Sequence, residues 1–259
     1  KAVVPVFVAF VVFCPNKVSC TMEPTVSVIL PAAGSGERMN LTTPKQFCEV
    51  KGKSLICHTV EAFLKNDWIS KIVVVFPSVV GSTPARCLNE PGLTHSKVEI
   101  IPGGVTRHRS IFNGIDHLKQ SPPDVVIVHD GVRPFVPEEI LKGLVQEANL
   151  HGAAGPVVPL VSTVLKMNSE GFLEETLDRS KYVASEMPQA FKYCVLLDAY
   201  SKCTQDDFDH GTECLALVHK YCKIQPKLIP GNDQLFKVTY LRDLYAVSGI
   251  LEKNTTDRQ

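Results

Sequence analysis

The sequence has no net charge, no paired cysteine motif, no apolar run of membrane-spanning length and no Gly-x-x-x-x-Gly-Lys-Ser/Thr loop. Lys plus Arg and Asp plus Glu each total 27. No global field therefore draws the chain to nucleic acid or to an acidic membrane, neither is expected as a partner, and any anion site must be local. Nine cysteines, at 14, 20, 48, 57, 87, 194, 203, 214 and 222, contain no Cys-x-x-Cys and no Cys/His set at zinc spacing. Such an odd, dispersed set suits reduced thiols in the cytosol rather than a disulfide-stapled secreted domain. The apolar run Ala2 to Cys14 is too short for a spanning helix. It has the look of a signal-peptide core, yet no initiator Met precedes it and Met22 lies just before the first strand pattern. Residues 1–24 are expected to be a non-native leader, a gene-model extension or a disordered tail.

What is present is an ordinary globular composition, 44% hydrophobic over 259 residues, enough to bury a sizeable core. Val26–Leu30, Lys71–Phe76, Val98–Ile101 and Asp124–His129 are short apolar runs with strand character. Ser54–Lys65, Thr106–Leu118 and Glu138–Asn149 carry helical periodicity, with Ser54 and Thr106 as N-caps. Gly155–Val161 and Lys223–Ile229 read as extended; Lys192–Lys202, Thr212–Tyr221 and Leu241–Leu251 read as helices. Near-continuous apolar strands separated by helices predict an α/β fold with a mostly parallel sheet covered on both faces. Thr163–Met167, the turn Asn168–Gly171 and Phe172–Leu177 read as a β-hairpin that breaks the alternation and projects as an arm, at about 163–187, suited to pairing with a second copy. One domain over 25–259, with no internal repeat and no linker, is the expected organisation.

In such sheets ligands bind beyond the carboxyl ends of strands, so three loops carry the chemistry. The first is "LPAAGSGERM", Leu30 to Met39, followed by Pro44-Lys45-Gln46. A dinucleotide fingerprint needs a third small residue, and Met39 stands in that place. Gly34 and Gly36 with the cations Arg38 and Lys45 suit a triphosphate better than a nicotinamide; a plain turn with solvated cations also accounts for them. The second loop is Pro102-Gly-Gly-Val-Thr106-Arg107-His-Arg109-Ser110, whose helix N-terminus favours an anion or a base edge, or is a capped helix with surface arginines. The third is His129-Asp130-Gly131-Val-Arg133-Pro134, where Asp130 either binds a hydroxyl or metal or pairs with Arg133 within the turn. Arg179 and Lys237, taken singly, read as solvated charges.

Pro31-Ala-Ala-Gly-Ser-Gly-Glu-Arg-Met39, Pro44-Lys-Gln46, Gly103-Gly104 with Arg107 and Ser110, His129-Asp-Gly-Val-Arg-Pro134, Pro188-Gln189 and Lys237-Val-Thr239 occur in one order along Thr25–Leu251. On these pieces the chain resembles the cytidylyltransferase family that joins CTP to a polyol phosphate. The segments "GVTRHRSIFNG", "ASEMPQAF" and "DHGTECL" are similar to the animal branch, which acts on D-ribitol 5-phosphate. Val105, Met187 and Gly211-Thr212-Glu213 stand where the bacterial branch, which acts on 2-C-methyl-D-erythritol 4-phosphate, has an acid, a Thr and Thr-Asp-Glu. The animal proteins carry a further C-terminal region, so the chain is expected to be a fragment or a short isoform.

The resemblance implies a Rossmann-like, nucleotidyltransferase type A fold with a hairpin arm. It implies that Arg38 and Lys45 hold the triphosphate and stabilise the transition state, with Lys237 at the reacting phosphates. The nucleotide site would comprise Pro31, Ala32, Ala33, Gly34, Gly36, Gly104, Arg107, Ser110 and Gly131. Asp130, Arg133, Thr212 and Arg179, the last from the arm of a second subunit, would bind the polyol phosphate. Mg²⁺ is the implied cofactor, with Asp130 as its candidate ligand, and a cytosolic homodimer joined through the arm is the implied assembly. The product would be CDP-ribitol, the donor for ribitol phosphate addition to O-mannosyl glycans on dystroglycan. The rival readings are a methylerythritol phosphate acceptor, a catalytically silent nucleotide-binding protein and, weakest, an NAD-dependent oxidoreductase.

Overall fold

The run Val26–Pro31 is buried along both faces and forms the first and central strand, β1. The computed structural model describes residues 23–34, 43–78 and 82–256. Residues 1–22 of the expected leader, with Gly36, Arg38 and Met39, fall outside them. The further strands are β2 (Glu49–Val50), β3 (Lys53–Ser54), β4 (Ile69–Phe76), β5 (Val98–Pro102), β6 (Val125–Val128), β7 (Ala153–Pro159), β8 (Val164–Met167), β9 (Leu173–Leu177), β10 (Val183–Ser185), β11 (Gln189–Lys192) and β12 (Lys227–Pro230). The helices are α1 (Leu55–Leu64), α2 (Ser82–Cys87), α3 (Arg107–His117), α4 (Glu138–His151), α5 (Tyr193–Ser201), α6 (Gln205–His210), α7 (Cys214–Cys222) and α8 (Leu241–Thr256).

The main sheet runs β10-β7-β11-β6-β1-β4-β5, with β12 also on β7. β1 pairs parallel with β4 (Val28 opposite Ile72) and with β6 (Val28 opposite Ile127). Side chains alternate across the sheet. Val28, Leu30, Ile72, Val74 and Ile127 pack with Ile56, Val60 and Phe63 of α1 and Leu141 and Leu144 of α4. Ile29, Val73, Val75, Val126 and Val128 pack on the other face with Ile111 and Ile115 of α3, Leu196 and Tyr200 of α5 and Val218 of α7. Truncating a fully buried residue such as Ile29 to Ala costs about 2–5 kcal/mol in sites of this kind. α3 lies so close over β1 that a Cβ on Gly114 would meet the Ile29 side chain at 2.7 Å. The fold is thus the expected α/β one, a mostly parallel sheet flanked by helices on both faces.

Both anticipated caps form. Ser54 accepts from the Cys57 amide at 3.3 Å and Thr106 from the Arg109 amide at 3.3 Å, each contributing about 1 kcal/mol. β8 and β9 pair only with each other, antiparallel, leaving Leu165, Met167, Phe172 and Leu173 exposed. The arm is shorter than 163–187: Val183–Ser185 returns to the main sheet as β10, because its backbone pairs with Val157–Pro159. β11 was not anticipated; it runs antiparallel between β6 and β7. The extended run expected at Gly155–Val161 is displaced to Ala153–Pro159, and that at Lys223–Ile229 is strand only over Lys227–Pro230. The helix expected from Thr212 begins at Cys214, because Glu213 caps it through the Leu215 amide. None of the seven described cysteines is in a disulfide. Among the described residues no helix is long and apolar enough to cross a membrane.

Candidate active site

The order of strands places the carboxyl ends of β5, β4, β1 and β6 side by side, and the loops leaving β1, β5 and β6 line a cavity of about 350 Å³. The first loop is anchored by the Ala32 amide on the Val75 carbonyl at 2.9 Å. Gln46 then fixes its course, its Nε2 donating to the carbonyls of Ala32 (2.7 Å) and Gly34 (2.8 Å). The second loop crosses the end of β4 through the Gly103 amide on the Phe76 carbonyl. A Cβ on Gly103 would sit 2.6 Å from the Ala33 Cβ and 2.9 Å from that carbonyl, so only glycine lets these two loops meet. Ser110 Oγ closes the second loop, accepting from the Gly104 amide at 3.2 Å and donating to the Thr106 carbonyl at 3.0 Å. Lys45, on a buried 3₁₀ turn, reaches across the cavity to donate to the Val238 carbonyl at 2.9 Å.

Asp130 lies at the inner end of this cavity, 6% exposed. Its Oδ1 accepts from Arg107 Nε and Nη2 at 3.1 and 3.0 Å, and its Oδ2 meets Lys237 Nζ at 2.8 Å and Arg133 Nε at 3.4 Å. Burial works against the Asp130 charge, but Arg107, Lys237 and Arg133 outweigh it and hold the carboxyl well below the usual carboxylate range. Burial likewise opposes the charge of Arg107, and Asp130 again outweighs it. Arg133 also donates to Glu186 and to the Leu235 carbonyl. Beyond this junction opens a second cavity of about 310 Å³, lined by Arg133, Ser185, Glu186, Met187, Gln189, Gly211, Thr212 and Glu213. The two cavities share three residues, Arg107, Asp130 and Lys237.

Of the residues singled out from sequence, Pro31, Ala32, Ala33, Gly34, Lys45, Gly104, Arg107, Ser110, Asp130, Gly131 and Lys237 line the first cavity. Asp130, Arg133 and Thr212 line the second. In the third loop Asp130 pairs with Arg133, and the same residue lines both cavities. Arg179 lines neither; it sits on the 3₁₀ turn Arg179–Lys181 beside the arm and donates to the Val161 carbonyl. Gly36 and Arg38 lie outside the described residues. Gln46, Ser185, Glu186, Gln189 and Glu213 were assigned no role in advance, although all five lie within quoted motif pieces. Among the described residues no group of three His, Cys, Asp or Glu side chains could hold a metal ion. Among the described residues Asp130 is the single carboxylate lining the first cavity.

Two buried histidines border the site. His129 bonds the Arg133 carbonyl through Nε2 at 2.9 Å, and His108 meets the Tyr200 hydroxyl through Nδ1 at 2.7 Å. Burial pushes His129 down to about 4, and burial together with Arg107 pushes His108 down to about 4. The folded protein thus binds fewer protons than the unfolded chain between about 6.5 and 4, so its stability falls as pH drops through that window. Urea unfolding from pH 7 to 4 should show a loss of a few kcal/mol, with a shallower slope in His129→Gln. A flat profile would contradict it.

The profile of the family described as IspD: 2-C-methyl-D-erythritol 4-phosphate cytidylyltransferase matches residues 26–253. The chain is 46% identical over 240 residues to a D-ribitol-5-phosphate cytidylyltransferase of Xenopus tropicalis, covering 90% of this chain and 58% of that protein. It therefore spans a little over half the length of such relatives. A 2-C-methyl-D-erythritol 4-phosphate cytidylyltransferase of Syntrophus aciditrophicus is 34% identical over 90% of this chain and 98% of its own length. Among solved structures, the 4-diphosphocytidyl-2C-methyl-D-erythritol synthase of Anaerococcus prevotii superposes with a TM-score of 0.73 at 22% identity, over 88% of this chain and 99% of that one. A fold, a paired set of cavities and a matching sequence profile agree: the chain belongs to the IspD, or 2-C-methyl-D-erythritol 4-phosphate cytidylyltransferase, family.

Proposed function

We propose that the chain transfers the cytidylyl group of CTP to D-ribitol 5-phosphate, releasing pyrophosphate and giving CDP-ribitol. The observation that carries this is the pair of cavities meeting at Arg107, Asp130 and Lys237. One chamber is walled by backbone and small residues suited to a nucleotide, the other by polar side chains suited to a polyol, and cations lie where phosphates would meet. The choice of ribitol over methylerythritol phosphate is supported by 46% against 34% identity to relatives bearing those names.

In this reading a phosphate oxygen of the acceptor attacks the α-phosphorus of CTP, the new P–O bond forms, and the α–β bridging oxygen leaves with pyrophosphate. The nucleophile is already anionic near neutral pH, so in-line positioning and charge neutralisation carry the rate. The Ala32–Gly34 backbone, Gly104, Ser110 and Gly131 would hold the cytidine end. Lys45, with Arg38, would hold the triphosphate and stabilise charge at phosphorus. Lys237 would exchange its contact with Asp130 for the reacting phosphates. Asp130 keeps Arg107, Arg133 and Lys237 together at the junction before substrate arrives.

Mg²⁺ is commonly held by one or two carboxylates plus substrate phosphates. Asp130 alone, with both oxygens engaged by cations, fits a metal that arrives on the triphosphate. Bound there, it would neutralise phosphate charge.

The exposed apolar side chains of the hairpin support a homodimer joined through the arms, with Arg179 offered to the partner's acceptor phosphate. Sedimentation should show a dimer at micromolar concentration, and a monomer throughout would count against it. The thiol set supports a cytosolic location. CDP-ribitol is an activated ribitol phosphate, which suits it as a donor in protein glycosylation. The function itself is tested by mass analysis of the product. CDP-ribitol formed from CTP and ribitol 5-phosphate is expected; unreacted substrates with intact, folded protein would refute it.

A further inference from the structure

Gln189 is 1% exposed, lines the second cavity, and its Oε1 has no hydrogen-bond partner. A buried acceptor in that state is costly unless something donates to it. The orientation of the amide follows from its neighbours. Nε2 donates to Ser185 Oγ at 3.2 Å and to the Glu186 carbonyl at 3.5 Å. Ser185 donates its own hydroxyl proton to Glu213 Oε2 at 2.9 Å, so it can only accept from Gln189. Glu213 is fixed in turn, its Oε1 accepting the Leu215 amide at the start of α7. Rotating the amide by half a turn would set Oε1 against the Glu186 carbonyl and against a serine oxygen whose proton is committed, two acceptor–acceptor contacts. The Gly155 backbone lies against the glutamine stem: a Cβ there would come within 3.3 Å of the Gln189 Cγ.

The chain thus builds a relay, Glu213 to Ser185 to Gln189, which ends in a buried, unpartnered acceptor on a residue that lines the second cavity with Arg133. We propose that Gln189 Oε1 accepts a hydrogen bond from one hydroxyl of the acceptor polyol phosphate and makes that hydroxyl a requirement for turnover. This rests on the reading of the protein as a polyol phosphate cytidylyltransferase. The cations at the junction suit the phosphate end of such a molecule; Gln189 supplies what they cannot, a test for a hydroxyl at a fixed place along the carbon chain. Sites built to bond a substrate hydroxyl reject the analogue lacking it far more strongly than apolar pockets discriminate by size.

The experiment measures pyrophosphate release by the full chain with CTP and Mg²⁺, using ribitol 5-phosphate and each of its monodeoxy analogues. Wild type should lose about 10- to 100-fold in kcat/KM on one analogue. Gln189→Leu should lose a similar factor on ribitol 5-phosphate, lose nothing more on that same analogue, and keep its KM for CTP. Gln189→Glu should recover none of the loss, because its second oxygen would face the Glu186 carbonyl and a serine oxygen whose proton is committed. If wild type treats every monodeoxy analogue like ribitol 5-phosphate, no hydroxyl is read, and the inference fails without recourse to any variant. If Gln189→Leu loses the same factor on every acceptor, the residue is structural and the inference fails. Absence of turnover on every polyol phosphate would instead remove the proposed function, and this inference with it.

Discussion

Lys45→Ala is expected to lower turnover by on the order of 10²-fold or more, the cost of removing one preorganised donor to a charge that grows in the transition state. The side chain is 9% exposed and its position is fixed from both ends. Its backbone lies in the 3₁₀ turn Lys45–Phe47, and its Nζ donates to the Val238 carbonyl, beside Lys237. An ammonium so held needs no reorganisation when substrate charge shifts. Lys45→Arg should also be poor, because a planar fork does not replace a compact point charge in a buried setting. Lys45→Met keeps most of the aliphatic stem and separates lost charge from lost packing. Steady-state kinetics with a melting curve for each variant make the check. An unchanged rate in folded Lys45→Ala would overturn the assignment.

Asp130→Asn should be both less stable and nearly inactive. The carboxylate holds three cations within 3.4 Å in a site almost closed to solvent. At about 3 Å and an effective dielectric near 20, each close pair is worth roughly 5 kcal/mol before desolvation is subtracted. Removing the shared anion leaves buried Arg133 and the partly exposed Arg107 and Lys237 facing one another, a change that costs less than the roughly 3–5 kcal/mol of a fully buried pair. The loss should appear as a lower urea midpoint and as turnover reduced by on the order of 10²-fold or more. The neighbouring cations hold the folded-state carboxyl well below its ordinary value. Its contribution is therefore present above the unfolded value near 3.9 and is lost only as pH falls through the lower, folded one. No acid limb between pH 5 and 8 should trace to this group. Wild-type stability in Asp130→Asn would contradict this placement.

Much of the frame was legible because its signals are local. Val26–Leu30 and Lys71–Phe76 are β-branched runs, and Ser54 and Thr106 announce the helices that they cap. The three ligand loops follow from where such strands end. β11 was not legible: four residues between Pro188 and a helix carry no alternation, and their burial comes from β6 and β7, distant in sequence. α6 could have been found, since Thr204 and Asp207 form a capping box that the sequence shows as Thr-x-x-Asp. The arm was drawn too long because Val183–Ser185 has strand character but no mark of which sheet it joins. In the site, charged residues such as Lys45, Asp130 and Arg133 stood out by type and position. Gln46, Ser185 and Glu213 did not, because each has a hydrogen-bond partner 12 or more residues away that the sequence does not show.

The measurement that bears most directly on the proposed meeting of two substrates at the Arg107–Asp130–Lys237 junction is pyrophosphate release with CTP and Mg²⁺. D-ribitol 5-phosphate and 2-C-methyl-D-erythritol 4-phosphate are offered side by side. Release with ribitol 5-phosphate, and little with methylerythritol phosphate, is the expected result, and it would make Val105, Met187 and Gly211 the residues to exchange. Preference for methylerythritol phosphate would contradict the choice of acceptor, and no release with either would contradict the proposed chemistry.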